Sequence, residues 1–138
     1  MPPTPSLRAL IVDDEPLAVE RMQMLCAGVA DIELVGAASD GAAALRLVRD
    51  LSPDLILLDI SMPDLDGMSV ARQIARSWVR DHGLPPAIIF VTAFDGFAVE
   101  AFDLSAVDYL LKPVAADRLG RAIDRVRERR AAYAAPDE

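Results

Sequence analysis

The chain has 138 residues, which is the size of one ordinary domain and leaves no room for a second. It is 53% hydrophobic and 26% charged, as soluble globular proteins are, and its net charge of −8 opposes binding to a nucleic acid backbone. No apolar stretch reaches the roughly 18 residues that span a bilayer, so we expect a cytoplasmic protein whose domain contacts neither membrane nor nucleic acid.

Apolar segments and segments of helical periodicity alternate from the start of the chain. The first apolar segment, residues 7–12, is followed by Asp14, Glu15 and Pro16, which suit the free N–H groups of a first helical turn. One face of that helix is apolar at helical spacing and consists of Ala18, Met22, Leu25 and Val29. The pattern predicts a strand and then a helix that packs on a sheet.

The same alternation repeats four more times. The remaining predicted strands are residues 32–37, 54–59, 87–92 and 106–111. The remaining predicted helices are residues 41–50, a segment with Ala71, Ile74 and Trp78 on one face, residues 94–102, and a last segment with Leu119, Ala122, Ile123 and Val126 inward. Strict alternation implies a parallel sheet with helices on both faces, because crossovers between parallel strands are right-handed.

We therefore predict a flavodoxin-like, doubly wound α/β domain whose five parallel strands lie in the order 2-1-3-4-5. The domain is expected to span residues 7–132. Residues 1–6 are interpreted as a disordered lead, and residues 133–138 as a tail or the start of a linker. In a sheet of this kind, ligands bind outside the carboxyl ends of the strands.

Charged and hydroxyl side chains stand at those carboxyl ends. Asp13 and Asp14 follow the first strand, Asp59 the third and Lys112 the fifth, and Thr92 ends the fourth. Lys112 is the only lysine among 14 basic residues, so it is not the chain's usual cation. Carboxylates about 4 Å apart repel by roughly 4 kcal/mol per pair at an effective dielectric near 20, so converging acids need a cation. All-oxygen ligation suits magnesium, and an ammonium can neutralise a phosphate oxygen.

Four segments in chain order resemble the receiver domain of two-component response regulators. They are Ile-Val-Asp13-Asp14-Glu15, Leu-Leu-Asp59-Ile-Ser-Met-Pro63-Asp-Leu-Asp-Gly67, Val-Thr92-Ala93 and Asp-Tyr109-Leu-Leu-Lys112-Pro113. The resemblance covers residues 7–130. It implies a signalling protein rather than an enzyme, with only slow self-phosphorylation and dephosphorylation.

The resemblance also implies a role for each residue of these segments. Asp59 would accept a phosphoryl group from a sensor histidine kinase or a phosphotransfer protein. Magnesium, with manganese as a substitute, would be held by Asp13, Asp14, Asp59 and the main-chain carbonyl of Ser61. Lys112, Thr92 and Ala93 would bind the phosphoryl oxygens, and Thr92 and Tyr109 would form the switch.

A longer segment, residues 90–113, is similar to receivers that precede LytTR-type DNA-binding domains. This likeness implies a role in transcription regulation if such a domain follows residue 138, and otherwise a single-domain regulator. It also implies a phosphorylation-dependent homodimer through the face formed by the fourth helix, the fifth strand and the fifth helix.

Two other functions match parts of this pattern. A magnesium-dependent phosphatase can also pass through an aspartyl-phosphate, but the second acid expected two residues beyond the nucleophile is here Ser61. No segment is available for a cap domain over a substrate. An interaction module with an inert site is disfavoured because all three acids and Lys112 are present.

Some residues favour structural interpretations. Cys26 is expected to fill the core, Trp78 to pack in the core, and His82 to lie at a solvated helix end. Six arginines in the last helix are interpreted as a solvated face that could alternatively dock a partner, and they are Arg118, Arg121, Arg125, Arg127, Arg129 and Arg130.

Overall fold

Strands and helices alternate along the chain as predicted. The computed structural model describes residues 6–78 and 83–134. The strands are β1 (Leu7–Val12), β2 (Ile32–Ala38), β3 (Leu55–Leu58), β4 (Ala87–Thr92) and β5 (Asp108–Leu111). The helices are α1 (Pro16–Ala27), α2 (Gly41–Leu51), α3 (Gly67–Ser77), α4 (Ala98–Asp103) and α5 (Ala116–Ala134).

All neighbouring strands are parallel, and their order is β2-β1-β3-β4-β5, which confirms the predicted fold. The register aligns the carboxyl ends of the inner strands. Val12 pairs with Leu58, and Leu58 with Phe90. The residues that follow β1 and β3 are therefore neighbours in space although they are far apart in sequence.

The core has two layers, one on each face of the sheet. In β1, Ile11 belongs to the layer with residues of α1 and α5, while Leu10 belongs to the layer with residues of α2 and α3. β3 alternates in the same way through Leu57 and Ile56. Because both faces of these strands are covered, the strands are continuous apolar runs, as the sequence pattern indicated.

Two helices begin at a capping carboxylate next to the predicted site. Asp40 accepts a hydrogen bond from the N–H of Ala43 at the start of α2, at 2.8 Å, and Asp66 accepts one from Ser69 at the start of α3, also at 2.8 Å. Each satisfies one of the free N–H groups of a first helical turn. The start of α3 therefore has a defined position relative to the loop after β3.

Some predicted boundaries were wrong. α4 begins at Ala98 rather than at residue 94, because Asp95 and Gly96 are poor helix formers and the N–H of Phe94 bonds to the Thr92 side chain instead. β5 begins at Asp108, two residues later than predicted, and β3 is one residue shorter at each end. The last helix, α5, ends at Ala134.

The structural roles predicted for Cys26, Trp78 and His82 had different outcomes. Cys26 is buried, and burial raises the pKa of its thiol to about 11, so its predicted role in the core is confirmed. Trp78 is only half-buried: it packs on the edge of the α2 and α3 layer and donates from Nε1 to the carbonyl of Gly83 at 3.1 Å. His82 lies outside the described residues, as do residues 1–5 and 135–138. No helix among the described residues is long and apolar enough to cross a membrane.

The arginine face of α5 is not simply solvated. Within the described residues, four of the six arginines bond to other elements. They are Arg118 and Arg125 with Asp108, Arg127 with the carbonyl groups of Ala30 and Asp31, and Arg130 with Asp54. The predicted solvated face is therefore only part of the description: Arg121, Arg125 and Arg129 are exposed, but several arginines also bind partners from other parts of the chain.

Candidate functional site

The acidic residues that follow β1 and β3 converge at one edge of the sheet. The N–H of Asp13 donates to the carbonyl of Ala38 at 3.0 Å, and the N–H of Asp59 donates to the carbonyl of Val12 at 2.9 Å. These bonds extend the strand pairing by one residue on each side of β1. As a result, carboxylate oxygens of Asp13, Asp14 and Asp59 all lie within 4.8 Å of one another.

Lys112 completes this group. Its Nζ donates to Oδ2 of Asp13 at 2.7 Å and to Oδ2 of Asp59 at 3.2 Å. The N–H of Lys112 donates to the carbonyl of Thr92 at 2.8 Å, which fixes the lysine at the end of the edge strand β5. We call Asp13, Asp14, Asp59 and Lys112 the strand-end site.

The charges of the strand-end site are strongly coupled. Burial raises the pKa of Asp59, and the nearby Asp13 carboxylate adds to this, against the opposing attraction of Lys112. Burial would lower the pKa of Lys112, but its hydrogen bond to Asp13 and the charge of Asp59 outweigh burial and raise it. The ammonium of Lys112 is thus held in its charged form between the carboxylates of Asp13 and Asp59. It does not fully offset the cost of burying the negative charge of Asp59.

The donor set fits a divalent cation. Three carboxylates and one ammonium leave a formal charge of −2 (−3 + 1) in a place where Asp13 and Asp59 are only 5% and 4% exposed. Uncompensated charge in a buried position is costly, and a small doubly charged ion would cancel it. Oxygen-only ligation with few protein groups matches magnesium, and manganese accepts the same ligands.

Ser61 and Ala93 lie on the loops around this cluster. The N–H of Ser61 donates to Oδ1 of Asp59 at 3.3 Å, so its backbone is beside the predicted phosphoacceptor. The part assigned to its carbonyl stays a prediction. Ala93 is exposed directly after Thr92 at the end of β4.

Thr92 and Tyr109 are joined through one residue. The N–H of Phe94 donates to Oγ1 of the buried Thr92 at 3.3 Å, and the hydroxyl of Tyr109 donates to the carbonyl of the same Phe94. The half-buried Tyr109 ring also lies 6.4 Å, between centroids, from the ring of Phe90. Any movement of the Thr92 hydroxyl therefore changes a hydrogen bond next to the one that holds Tyr109.

Gly67 is a residue for which sequence reasoning assigned no role. A Cβ at this position would lie 2.0 Å from the carbonyl oxygen of Asp59, and the N–H of Gly67 donates to the carbonyl of Ile60 at 2.9 Å. Only glycine permits this approach, which sets α3 against the Asp59 backbone. Its place at the end of the Asp59 segment was the available signal.

A comparison with protein families gives one match that covers most of the chain. The family profile described as "Response regulator receiver domain" matches residues 9–124. Among solved structures, the response regulatory domain of mrkE from Klebsiella pneumoniae is similar, with a TM-score of 0.79 and 34% identity. The similarity covers 89% of this chain and 97% of that one.

Curated relatives are similar over the same region. The transcriptional regulatory protein BtsR of Salmonella typhi is 41% identical over 124 residues, which are 90% of this chain and 49% of BtsR. The positive alginate biosynthesis regulatory protein of Pseudomonas aeruginosa is 47% identical over 118 residues, which are 85% of this chain and 46% of that protein. The chain thus spans about half the length of these relatives.

Proposed function

The chain belongs to the response regulator receiver family, and on that premise we propose that Asp59 accepts a phosphoryl group from a sensor histidine kinase or a phosphotransfer protein. The observation that carries this proposal is the convergence of three carboxylates at the carboxyl edge of the sheet, two of which bind the ammonium of Lys112. A nucleophile, a countercharge and a donor set for a metal meet there.

The proposed step follows from the charges of the strand-end site. A carboxylate oxygen of Asp59 forms a bond to phosphorus as the bond from phosphorus to the donor's nitrogen or oxygen breaks, and the leaving group keeps that electron pair. Lys112 lies 3.2 Å from Asp59, within reach of the new phosphoryl oxygens. Bound magnesium would supply charge neutralisation between the acids and those oxygens. Asp13, Asp14, Asp59 and the Ser61 carbonyl are the proposed ligands.

The proposed switch uses the shared contact of Thr92 and Tyr109 with Phe94. The Thr92 hydroxyl is drawn toward the phosphoryl oxygens and gives up the Phe94 N–H, and the N–H of Ala93 approaches the same oxygens. The Tyr109 ring then turns inward behind Thr92, and the outer face of α4, β5 and α5 changes. A phosphoryl group can bias this equilibrium only through such differential contacts.

The names of the similar proteins support a proposal for what the phosphorylated chain controls. BtsR is named as a transcriptional regulatory protein, and we propose that this chain controls transcription through a LytTR-type DNA-binding domain in a longer protein, or a partner if it stands alone. The site of action is then the cytoplasm, and the receiver domain itself touches no nucleic acid, in keeping with its net charge of −8.

Acetyl phosphate separates this function from that of a phosphatase. Incubated with the protein and Mg²⁺, it is expected to leave one phosphoryl group on the chain, seen as a single mass increase. A phosphatase would instead release inorganic phosphate from external phosphomonoesters over many turnovers. Rapid turnover of such substrates without a modified chain would reject the signalling proposal.

Magnesium is expected to stabilise the folded protein. At about ten times its dissociation constant it adds about 1.4 kcal/mol, which corresponds to a rise in Tm of about 4 °C for a domain of this size. Because burial raises the pKa of Asp59, its carboxylate is lost at a higher pH than that of an ordinary aspartate. The rise in Tm should therefore shrink on acidification.

Thermal melts with and without MgCl₂ measure this effect. Asp13→Asn should remove most of the rise in Tm. Asp50→Asn, a change at an exposed acid of α2 outside the strand-end site, should keep it. An equal rise in all three proteins would mean that the cation binds elsewhere.

Phosphorylation is expected to produce a homodimer through α4, β5 and α5. Val99 and Phe102 are 76% and 54% exposed on α4, so their burial in a dimer is favourable. Light scattering should show a doubled mass after acetyl phosphate treatment in the native protein but not in Phe102→Ser. Leu17→Ser, at a 78% exposed position of α1, is the control that should still dimerise. If the molecular mass of the native protein were the same before and after phosphorylation, the proposed interface would be contradicted.

A further inference from the structure

A buried carboxylate stands at the start of the edge strand β5. Asp108 is only 2% exposed, although it lies in a segment that is otherwise apolar. Arg118 binds it with both terminal nitrogens, Nη1 to Oδ2 at 2.8 Å and Nη2 to Oδ1 at 2.7 Å. Arg125 donates from Nη1 to Oδ2 at 3.0 Å. We call Asp108, Arg118 and Arg125 the Asp108 cluster.

The Asp108 cluster joins the switch strand to α5. Asp108 Oδ1 also accepts the N–H of Tyr109 at 2.8 Å, so one carboxylate holds the backbone of the switch residue and two side chains of α5. Burial alone would raise the pKa of Asp108, but the hydrogen bonds from Arg118 and Tyr109 outweigh it and lower the pKa, so the carboxylate stays charged. Four donors on two oxygens leave little freedom to this end of β5.

The contacts of β5 with α4 are of a different kind. The hydroxyl of Tyr109 bonds to Phe94, which lies before α4, and its ring packs in the core layer that contains Ala101 of α4. Among the described residues, the ion pair of α4 is that of Glu100 with Arg72 of α3, at 3.5 Å between half-exposed side chains. Exposed pairs of this length contribute little, whereas separating a buried, bidentate pair leaves an uncompensated charge. Displacing β5 from α5 would therefore separate a buried pair, whereas no ion pair joins β5 to α4 among the described residues.

We propose that Asp108 is a positioning residue that couples Tyr109 to α5, so that β5 and α5 respond to phosphorylation as one body while α4 moves against them. The inference rests on the proposed function, because phosphorylation of Asp59 is the event that displaces Tyr109. It assigns a regulatory role to Arg118 and Arg125, which are not part of the strand-end site. The signal at Tyr109 then reaches α5 through the backbone N–H and the carboxylate, not through the tyrosine ring.

Hydrogen exchange measured by mass spectrometry tests this coupling. Peptides from β5 and from α5 are compared with and without acetyl phosphate and Mg²⁺, and intact mass reports the fraction phosphorylated. In the native protein, phosphorylation is expected to change exchange in both elements by about fivefold or more. In Asp108→Asn and in Arg118→Gln, the chain should still be phosphorylated and the β5 response should remain, but the α5 response should fall below about twofold.

Arg121→Gln is the matched control. Arg121 is exposed on the same helix and makes no ion pair with any residue in the described parts of the chain, so its variant should respond as the native protein does. If Asp108→Asn does not fold, Arg118→Gln and Arg125→Gln remove the same hydrogen bonds by changing side chains that are more exposed than Asp108.

The outcomes distinguish the two proposals. If phosphorylated Asp108→Asn and Arg118→Gln keep the native α5 response, the proposed coupling is overturned but the proposed function is not. The same holds if α5 of the phosphorylated native protein does not respond. A native protein that takes no phosphoryl group would refute the proposed function, and the coupling with it. A lost response in Arg121→Gln would show that any change on α5 disturbs the readout, and would also overturn the assignment to Asp108.

Discussion

Asp59→Asn is expected to abolish the Mg²⁺-dependent mass increase from acetyl phosphate while leaving the domain folded. The amide that replaces the carboxylate has no charged oxygen to attack phosphorus. The substitution keeps the shape of a side chain that is 4% exposed between Lys112 and Ser61, so it creates no cavity. Intact mass after incubation with the phosphodonor measures the loss.

The same variant should be more stable than the native protein when no Mg²⁺ is present. Because burial raises the pKa of Asp59 in the folded state, the stability that this group contributes is present at low pH and is lost as the pH rises through that raised pKa. At neutral pH its ionised form opposes folding, and asparagine removes this effect. A higher midpoint of urea unfolding in Mg²⁺-free buffer would show that lost phosphorylation is not lost structure.

Asp64→Asn is the matched control for Asp59→Asn. Asp64 is exposed in the same loop, has a positive φ of 68°, and asparagine tolerates that conformation. It should take the phosphoryl group at the native rate. Continued phosphorylation of Asp59→Asn would place the acceptor on another residue and remove the basis of the proposed function.

Lys112→Met is expected to slow phosphorylation by acetyl phosphate about 100-fold, because it removes one preorganised positive group from the oxygens on which charge develops. It should also destabilise the Mg²⁺-free protein by roughly 3 kcal/mol, the lower end for breaking a buried pair, since the lysine side chain is 23% exposed. Asp13 and Asp59 are then left facing each other without a countercharge. Time courses of intact mass and urea unfolding measure the two effects.

Magnesium should offset part of the Lys112→Met destabilisation. The cation and the ammonium neutralise the same carboxylates, so Mg²⁺ should raise the stability of the variant more than that of the native protein. Arg129→Met, which removes an exposed cation of α5, should change neither the rate nor the response to Mg²⁺. A native rate in Lys112→Met would mean that the ammonium serves only to hold the acids together.

Much of the strand-end site could be predicted because its residues stand directly after apolar strands. In a parallel sheet the carboxyl ends of neighbouring strands meet at one edge, so chain order and strand position were enough to bring Asp13, Asp59 and Lys112 together. The separation of Lys112 from Asp13, 99 positions along the chain, did not matter. The proposed metal and phosphate chemistry was suggested by the types of these residues.

Other features depended on contacts that no local pattern contains. Arg118 and Arg125 were grouped with solvated residues because their own helix has a polar face, but their partner Asp108 comes from β5. The same holds for Arg130 with Asp54, 76 positions away. The rotation of α5 against the sheet decides which of its arginines meet an acid, and that rotation is set by packing in the core.

The sequence by itself determined the alternation of strands and helices, and the position of three acids and one lysine directly after strands, because hydrophobic period and chain direction are local properties. Only the tertiary structure decided the contact of Gly67 with the Asp59 backbone, the late start of α4 and the Asp108 cluster. These three features depend on how far the helices lie from the sheet and from each other. Those distances are set only when helices pack on both faces of the sheet.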